Sequence, residues 1–242
     1  MSVAANIEKI EEGIQKACQR CGRKREEITL MGVTKFQPIE AITEAWNGGL
    51  RCFGESRVQE AAAKFALANI AGEKLAGFRD KFPDMDLHMV GSLQRNKAKL
   101  AASLFDCVQS LDREALIEEL AKHAMDRASP LPVLLEFRTG EDSKSGFADM
   151  DSLFRAAELA LGFPSLCVRG LMTIAPFTSE EGPVRGAFRQ LAKARQELEL
   201  RFTGSGAAQH GWACLSMGMS TDYEIAIEEG STLLRIGSAI FE

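Results

Sequence analysis

The run Ile28-Thr29-Leu30-Met31-Gly32-Val33-Thr34-Lys35 is short, apolar and uncharged until it stops at a lysine. Between helical segments, a run of this kind reads as a strand buried on both faces, as in a parallel sheet. A helix candidate from Ala4 to Cys21 lies ahead of it, and another from Pro38 to Asn47 lies behind it. Outward from that unit the alternation repeats. Strand candidates follow at Arg51 to Gly54, Asp86 to Val90, Asp106 to Gln109, Pro132 to Phe137, Leu166 to Met172, Ala213 to Ser216 and Leu233 to Gly237. Between them lie helix candidates at Val58 to Leu67, Arg95 to Ser103, Asp112 to Arg127, Asp149 to Leu161, Pro183 to Phe202 and Thr221 to Glu229. Repeated βα units imply a parallel sheet. Eight of them, with no Pro/Gly/Ser-rich linker to divide the chain, favour a single α/β domain over residues 1–242, a (β/α)8 (TIM) barrel preceded by the helix at residues 4–21. An open doubly wound sheet is the alternative, separated from the barrel by the strand count.

Length and composition agree with that reading. The 242 residues hold one α/β barrel of about 250 residues and leave no room for a second catalytic domain. At 45% apolar and 26% charged the chain is an ordinary globular sequence, which excludes disordered, collagenous and coiled-coil classes. Lys and Arg number 29 against 34 Asp and Glu, a net charge of −5 that offers no overall positive field to nucleic acid or anionic lipid. The basic cluster Arg20, Arg23, Lys24 and Arg25 runs into Glu26 and Glu27 and reads as a solvated helix end. The opening MSVAANIEKIEEGIQ is acidic where a signal peptide needs a basic start, and no later segment is long and apolar enough to span a membrane. A cytoplasmic protein with no membrane partner is the expectation. The six cysteines then read as reduced thiols, and the Cys18-x-x-Cys21 pair sits in a helical segment without a second pair or a nearby histidine. His88, His123 and His210 are far apart, so no local metal-ligand spacing exists and no metal is expected.

Barrel chemistry gathers where strands end and the next loops begin. The polar residues there are Lys35, Glu55 with Ser56, Gly91 with Ser92 and Gln94, Thr173, Ser216 with Gly218, and Arg235 with Gly237 and Ser238. They form no Ser-His-Asp set, H-E-x-x-H, Walker loop or G-x-G-x-x-G. Lys35 would emerge at the barrel mouth beside apolar neighbours. Desolvated there, its amine would have a lowered pKa and could form a Schiff base; solvated, it would be a plain strand-end lysine. Arg235 lies among apolar neighbours and cannot shed its charge, so it needs an anion, a carbonyl or a ring acceptor, or else a structural salt bridge. Ser216-Met217-Gly218-Met219-Ser220 precedes a helix whose Thr221 and Glu224 have capping-box spacing, and Gly237-Ser238 ends the eighth strand. Loops after strands seven and eight commonly cradle phosphate, with an ordinary capped glycine turn as the plainer reading. Together these features describe an aldehyde-bearing phosphate ligand, and pyridoxal 5′-phosphate (PLP) meets every demand.

Longer motifs run through the same positions: Val33-Thr34-Lys35, Phe53-Gly54-Glu55, Val58-Gln59-Glu60, His88-Met89-Val90-Gly91-Ser92-Leu93-Gln94-Arg95-Asn96-Lys97, Ser143-Lys144-Ser145-Gly146-Phe147, Gly170-Leu171-Met172-Thr173-Ile174, Leu215-Ser216-Met217-Gly218-Met219-Ser220 and Arg235-Ile236-Gly237-Ser238-Ala239-Ile240-Phe241. On these blocks almost the whole chain closely resembles the pyridoxal phosphate homeostasis family. That family is also called the YggS or proline synthase co-transcribed family, and its barrel is like the N-terminal domain of alanine racemase, PLP fold type III. The resemblance implies that Lys35 is the Schiff-base lysine, that Arg235 faces the pyridine nitrogen, and that Ser216, Gly237 and Ser238 hold the phosphate. The chain departs from the family at Ser56, usually Asn, at Arg57, usually Tyr, and at Ser238, usually Thr. Ser238 keeps a hydroxyl, whereas Ser56 is too short to repeat a contact made by Asn. His88 reads as a structural hydrogen-bonding residue, with a general base as the alternative. Asn96, Lys97 and Lys99 read as a solvated face or an anion site, and Lys144 takes no assigned role.

The implied function is PLP binding and delivery in intracellular vitamin B6 homeostasis, with PLP-dependent apoenzymes as partners and no catalytic residues. The alternative is a PLP-dependent amino-acid racemase or decarboxylase. Racemisation needs a base on each face of the substrate carbon, and racemases of this fold take the second, a tyrosine, from an added C-terminal β-domain. Here Glu242 follows closely on the eighth strand, and the single tyrosine, Tyr223, falls in the opening turn of a helix.

Overall fold

The computed structural model describes residues 2–65, 69–70, 73–74, 82–141, 145–202 and 210–242. All eight expected strands form: β1 Thr29–Val33, β2 Cys52–Glu55, β3 Asp86–Met89, β4 Cys107–Leu111, β5 Leu131–Glu136, β6 Leu166–Met172, β7 Cys214–Ser216 and β8 Leu233–Ile236. They pair in parallel and close on themselves in the order β1-β8-β7-β6-β5-β4-β3-β2, which excludes the open sheet. The closing seam sets Thr29 beside Leu233 and Met31 beside Arg235. A small antiparallel pair, Asn69–Ile70 with Glu73–Lys74, lies outside the barrel.

The helices are α1 Val3–Cys21, α2 Ile39–Asn47, α3 Val58–Phe65, α4 Ala98–Leu104, α5 Glu114–Ala124, α6 Met150–Leu161, α7 Glu181–Arg201, α8 Tyr223–Glu228 and α9 Ser238–Phe241. The end expected for α3, residues 66 and 67, lies outside the described residues. In α1 the buried stripe Ile7, Ile10, Ile14, Ala17 and Cys18 follows the helical period. Ser2 caps its start and Gly22, at φ 71°, ends it in the left-handed region that glycine enters freely.

Strand periodicity divides the interior into two layers of contact. Leu30, Phe53, Leu87, Val108, Val133, Leu171, Leu215 and Leu234 face the helices in one large cluster. The alternate residues Met31, Cys52 and Leu233, and likewise Cys107, Leu134 and Met172, form separate clusters inside the barrel. At the β5–β6 bulge, Gly170 has φ 151° and approaches β7 so closely that a Cβ would sit 1.9 Å from the Cys214 carbonyl oxygen. All six cysteines are free thiols. Among the described residues, no helix is long and apolar enough to cross a membrane.

Three local expectations change. The Thr221–Glu224 capping box does not form: Asp222 is the N-cap of α8, and Glu224 instead pairs with Arg20 at 2.7 Å. The basic cluster after α1 is a clasp rather than a solvated end. Arg23 donates to the carbonyls of Ile227 and Ser231, and Arg25 pairs with Glu11 at 2.6 Å. The chain also continues past β8 into α9, which buried Asn6 of α1 anchors by donating to the Ile240 carbonyl at 2.9 Å.

Candidate functional site

Lys35 comes two residues after β1, and the residue between, Thr34, is clamped. Thr34 Oγ1 donates to Glu55 Oε1 at 2.7 Å, while Lys64 Nζ reaches both the Thr34 carbonyl at 2.7 Å and Glu55 Oε1 at 2.8 Å. Glu55 is wholly buried, and its Oε2 has no hydrogen-bond partner among the described residues. The chain then turns outward through Phe36, at φ 64°, a left-handed conformation that costs a non-glycine residue about 1–2 kcal/mol. Phe36 is 67% exposed, and the Arg57 guanidinium lies 5.3 Å from its ring centre. Lys35 itself is exposed and makes no hydrogen bond or ion pair among the described residues. The turn carries the side chain into solvent, the solvated one of the two placements the sequence leaves open.

Arg235, at 5% exposure, points into the barrel from β8. Its partners are a hydroxyl and a carbonyl rather than a carboxylate: Nη1 donates to Ser216 Oγ at 2.6 Å and Nη2 to the Thr173 carbonyl at 2.7 Å. Burial pulls its pKa down to about 10, against the opposing charges of Glu136 and Asp222. Ser216, expected at the phosphate, lies beside Arg235 inside the barrel. Its hydroxyl is fully buried, accepts from Arg235 and donates to Gln109 Oε1 at 2.6 Å. The series continues inward, with Gln109 Nε2 donating to His88 Nδ1 at 2.7 Å and His88 Nε2 lying 2.9 Å from Asp86 Oδ2. Both ring nitrogens of His88 therefore have polar partners.

The exposed loops bring a different hydroxyl to the mouth. Ser220 Oγ lies 3.2 Å from Ser238 Oγ and accepts from the Ala239 backbone N–H at 3.3 Å, so the loops after β7 and β8 meet there beside Gly237. Gly218 sets the first loop: its φ is 96°, and a Cβ would sit 2.6 Å from that of Ala226. Sequence reading saw Ser220 only as part of a loop, since nothing local pairs it with a residue 18 positions away. It also passed over Glu136, a carboxylate at the end of the apolar β5. Glu136 is buried, accepts from Ser145 Oγ at 2.6 Å, and has its pKa raised by burial. Thr173 Oγ1 pairs with Thr139 Oγ1 at 2.8 Å. Asn96 and Lys97 lie in a 3-10 turn ahead of α4. Ser143 and Lys144 lie outside the described residues. A free amine, a buried guanidinium and paired hydroxyls on two loops converge on one end of the barrel. Such a set suits a ligand that carries a carbonyl, a hydrogen-bond acceptor and an anionic tail.

The family model described as alanine racemase, N-terminal domain, matches residues 5–242. The pyridoxal phosphate homeostasis protein of Vibrio cholerae is 40% identical over 99% of this chain and 95% of its own length. That of Aquifex aeolicus is 37% identical over 100% of this chain and 98% of its own. Among solved structures, PipY of Synechococcus elongatus PCC7942 with PLP bound superposes with a TM-score of 0.80 at 30% identity, covering 100% of both chains. Alanine racemase from E. faecalis, at 15% identity and a TM-score of 0.66 over 99% of this chain and 58% of its own, shares the fold.

Proposed function

Because this chain belongs to the pyridoxal phosphate homeostasis protein family, built on the alanine racemase N-terminal barrel, we propose that it holds PLP at the barrel mouth as a carrier for PLP-dependent apoenzymes rather than as an enzyme. The observation that carries this reading is the β1–β8 seam. Lys35, two residues beyond β1, carries an unpaired amine, and Arg235 on the neighbouring β8 carries a buried guanidinium. The relatives' names and the PLP-bound PipY support the choice of ligand.

In this reading Lys35 condenses with the aldehyde carbon to a Schiff base and releases water. Arg235 donates to the ring nitrogen and keeps it unprotonated, which weakens the ring as an electron sink. Ser220 and Ser238 hold the phosphate with the backbone at Gly237, and Ser216 acts one step back by fixing Arg235. Tyr223 supports the absence of a second base. Its hydroxyl lies against α1, where a Cβ on Gly13 would come within 2.1 Å of it. Without a second base a bound amino acid could exchange with Lys35 but would not be racemised.

The test is the absorption of the purified protein. A yellow band should be present, borohydride should bleach it, and mass spectrometry should find the pyridoxyl adduct on Lys35. An adduct elsewhere, or a full band in Lys35→Ala, would overturn the assignment.

A further inference from the structure

The end of the barrel opposite Lys35 carries a second constellation. Cys52 opens β2, Asp86 opens β3, and the two are paired in register. His88, two residues on, shares the face of Asp86 because side chains alternate along a strand. The Cys52 Sγ, His88 Nε2 and one Asp86 carboxylate oxygen all lie within 4.8 Å of one another. We propose that these three groups form a site for a divalent transition-metal cation of the zinc(II) type, separate from the cofactor mouth.

The separations are close to those of a coordinated ion. With Zn–S of about 2.3 Å and Zn–N or Zn–O of about 2.0–2.1 Å, tetrahedral ligands stand about 3.3–3.6 Å apart. The thiol sulfur is 4.0 Å from His88 Nε2, and the carboxylate oxygen is 2.9 Å from it. Shifts of about half an ångström, inward for sulfur and outward for oxygen, seat both ligands beside the imidazole.

The charges balance. Cys52 loses its proton to solvent on binding, and thiolate plus carboxylate neutralise the dication. Without a cation, burial and the nearby Asp86 charge hold the Cys52 thiol well above its usual range. Asp86 is exposed, which gives the cation an entrance and lets water complete the coordination. Gln109 supports the other ring nitrogen at 2.7 Å, as outer-sphere partners of ligating histidines do. With metal on Nε2 the proton moves to Nδ1, and the near-symmetric Gln109 amide turns its oxygen toward it. The ligands come from two strands, with Cys52 and His88 36 residues apart, so no local spacing announces them.

The protein as purified is stripped with a chelator and titrated with zinc(II) against a chromophoric competitor, then with cobalt(II) followed by difference spectra. One equivalent should bind, with the visible bands of tetrahedral cobalt. Cys52→Ser and His88→Gln should each weaken zinc binding about 10-fold or more, while Cys18→Ser on α1 leaves it unchanged. Zinc should raise the melting temperature of the wild type but not of Cys52→Ser. If His88→Gln fails to fold, Asp86→Asn at the exposed ligand takes its place. Absence of a zinc complex, or equal affinity in Cys52→Ser and wild type, would overturn the proposal.

Discussion

Ser216→Ala separates a hydroxyl that grips phosphate from one that positions an arginine. The Ser216 oxygen lies 2.6 Å from both Arg235 Nη1 and Gln109 Oε1, and all three residues are buried. Alanine leaves a guanidinium N–H and an amide oxygen without partners, and each orphaned group costs about 1–3 kcal/mol. The sum is a loss of about 2–6 kcal/mol. At about 2–4 °C per kcal/mol for a chain of this size, the melting temperature of the cofactor-free protein should fall by about 4–24 °C. Both PLP and unphosphorylated pyridoxal should bind more weakly as Arg235 loosens, but the ratio of their dissociation constants should hold within about threefold. Ser220→Ala or Ser238→Ala should instead lower the preference for PLP over pyridoxal about tenfold or more, the worth of one charge-assisted hydrogen bond at about 1.5–3 kcal/mol. Differential scanning calorimetry and absorption titrations read both quantities. Unchanged melting with a tenfold loss of phosphate preference in Ser216→Ala would refute the reasoning.

Other expectations follow from the same geometry. Burial raises the Glu136 pKa above its value in the unfolded chain, so the folded state holds the proton longer and stability falls as pH rises from the ordinary carboxylate range through the raised value. Glu136→Gln keeps an acceptor for Ser145; it should raise the melting temperature at pH 8 and leave it nearly unchanged at pH 4, and an equal gain at both would count against this origin. Gly218→Ala places a Cβ at φ 96° and 2.6 Å from Ala226, which should cost about 2–4 kcal/mol in thermal or urea unfolding. Holo-protein incubated with L-alanine in deuterated water should show no sustained α-deuterium exchange; turnover at about 1–1000 per second would establish an enzyme.

Much of the architecture was legible because it depends on local pattern. Leu166–Met172 matches its expected span residue for residue, since a seven-residue, mostly apolar run between helical segments is too short for a helix of its own and suits a buried strand. Lys35 and Arg235 stood out because a charge at the end of, or inside, an apolar run demands an explanation. Glu136 carried the same signal in β5 and was passed over, as its neighbours belong to no phosphate loop.

Which way each polar residue spends its hydrogen bonds was a different matter. Ser216 and Ser220 lie in one short motif, yet the first faces into the barrel toward Gln109, 107 residues away, and the second meets Ser238 at the rim. The alternation of inward and outward side chains follows from strand periodicity, but the partner inside is set by strands on other parts of the wall. Local pattern alone specified the strands, the helices between them, a lysine just past the first strand and an arginine within the last. Closure of the barrel decided the rest. Only the β1–β8 seam brings Met31 beside Arg235, and only the ring of strands aligns Arg235, Ser216, Gln109 and His88 across the interior, because hydrogen bonds reach about 3 Å and nothing along the chain brings such distant residues that close.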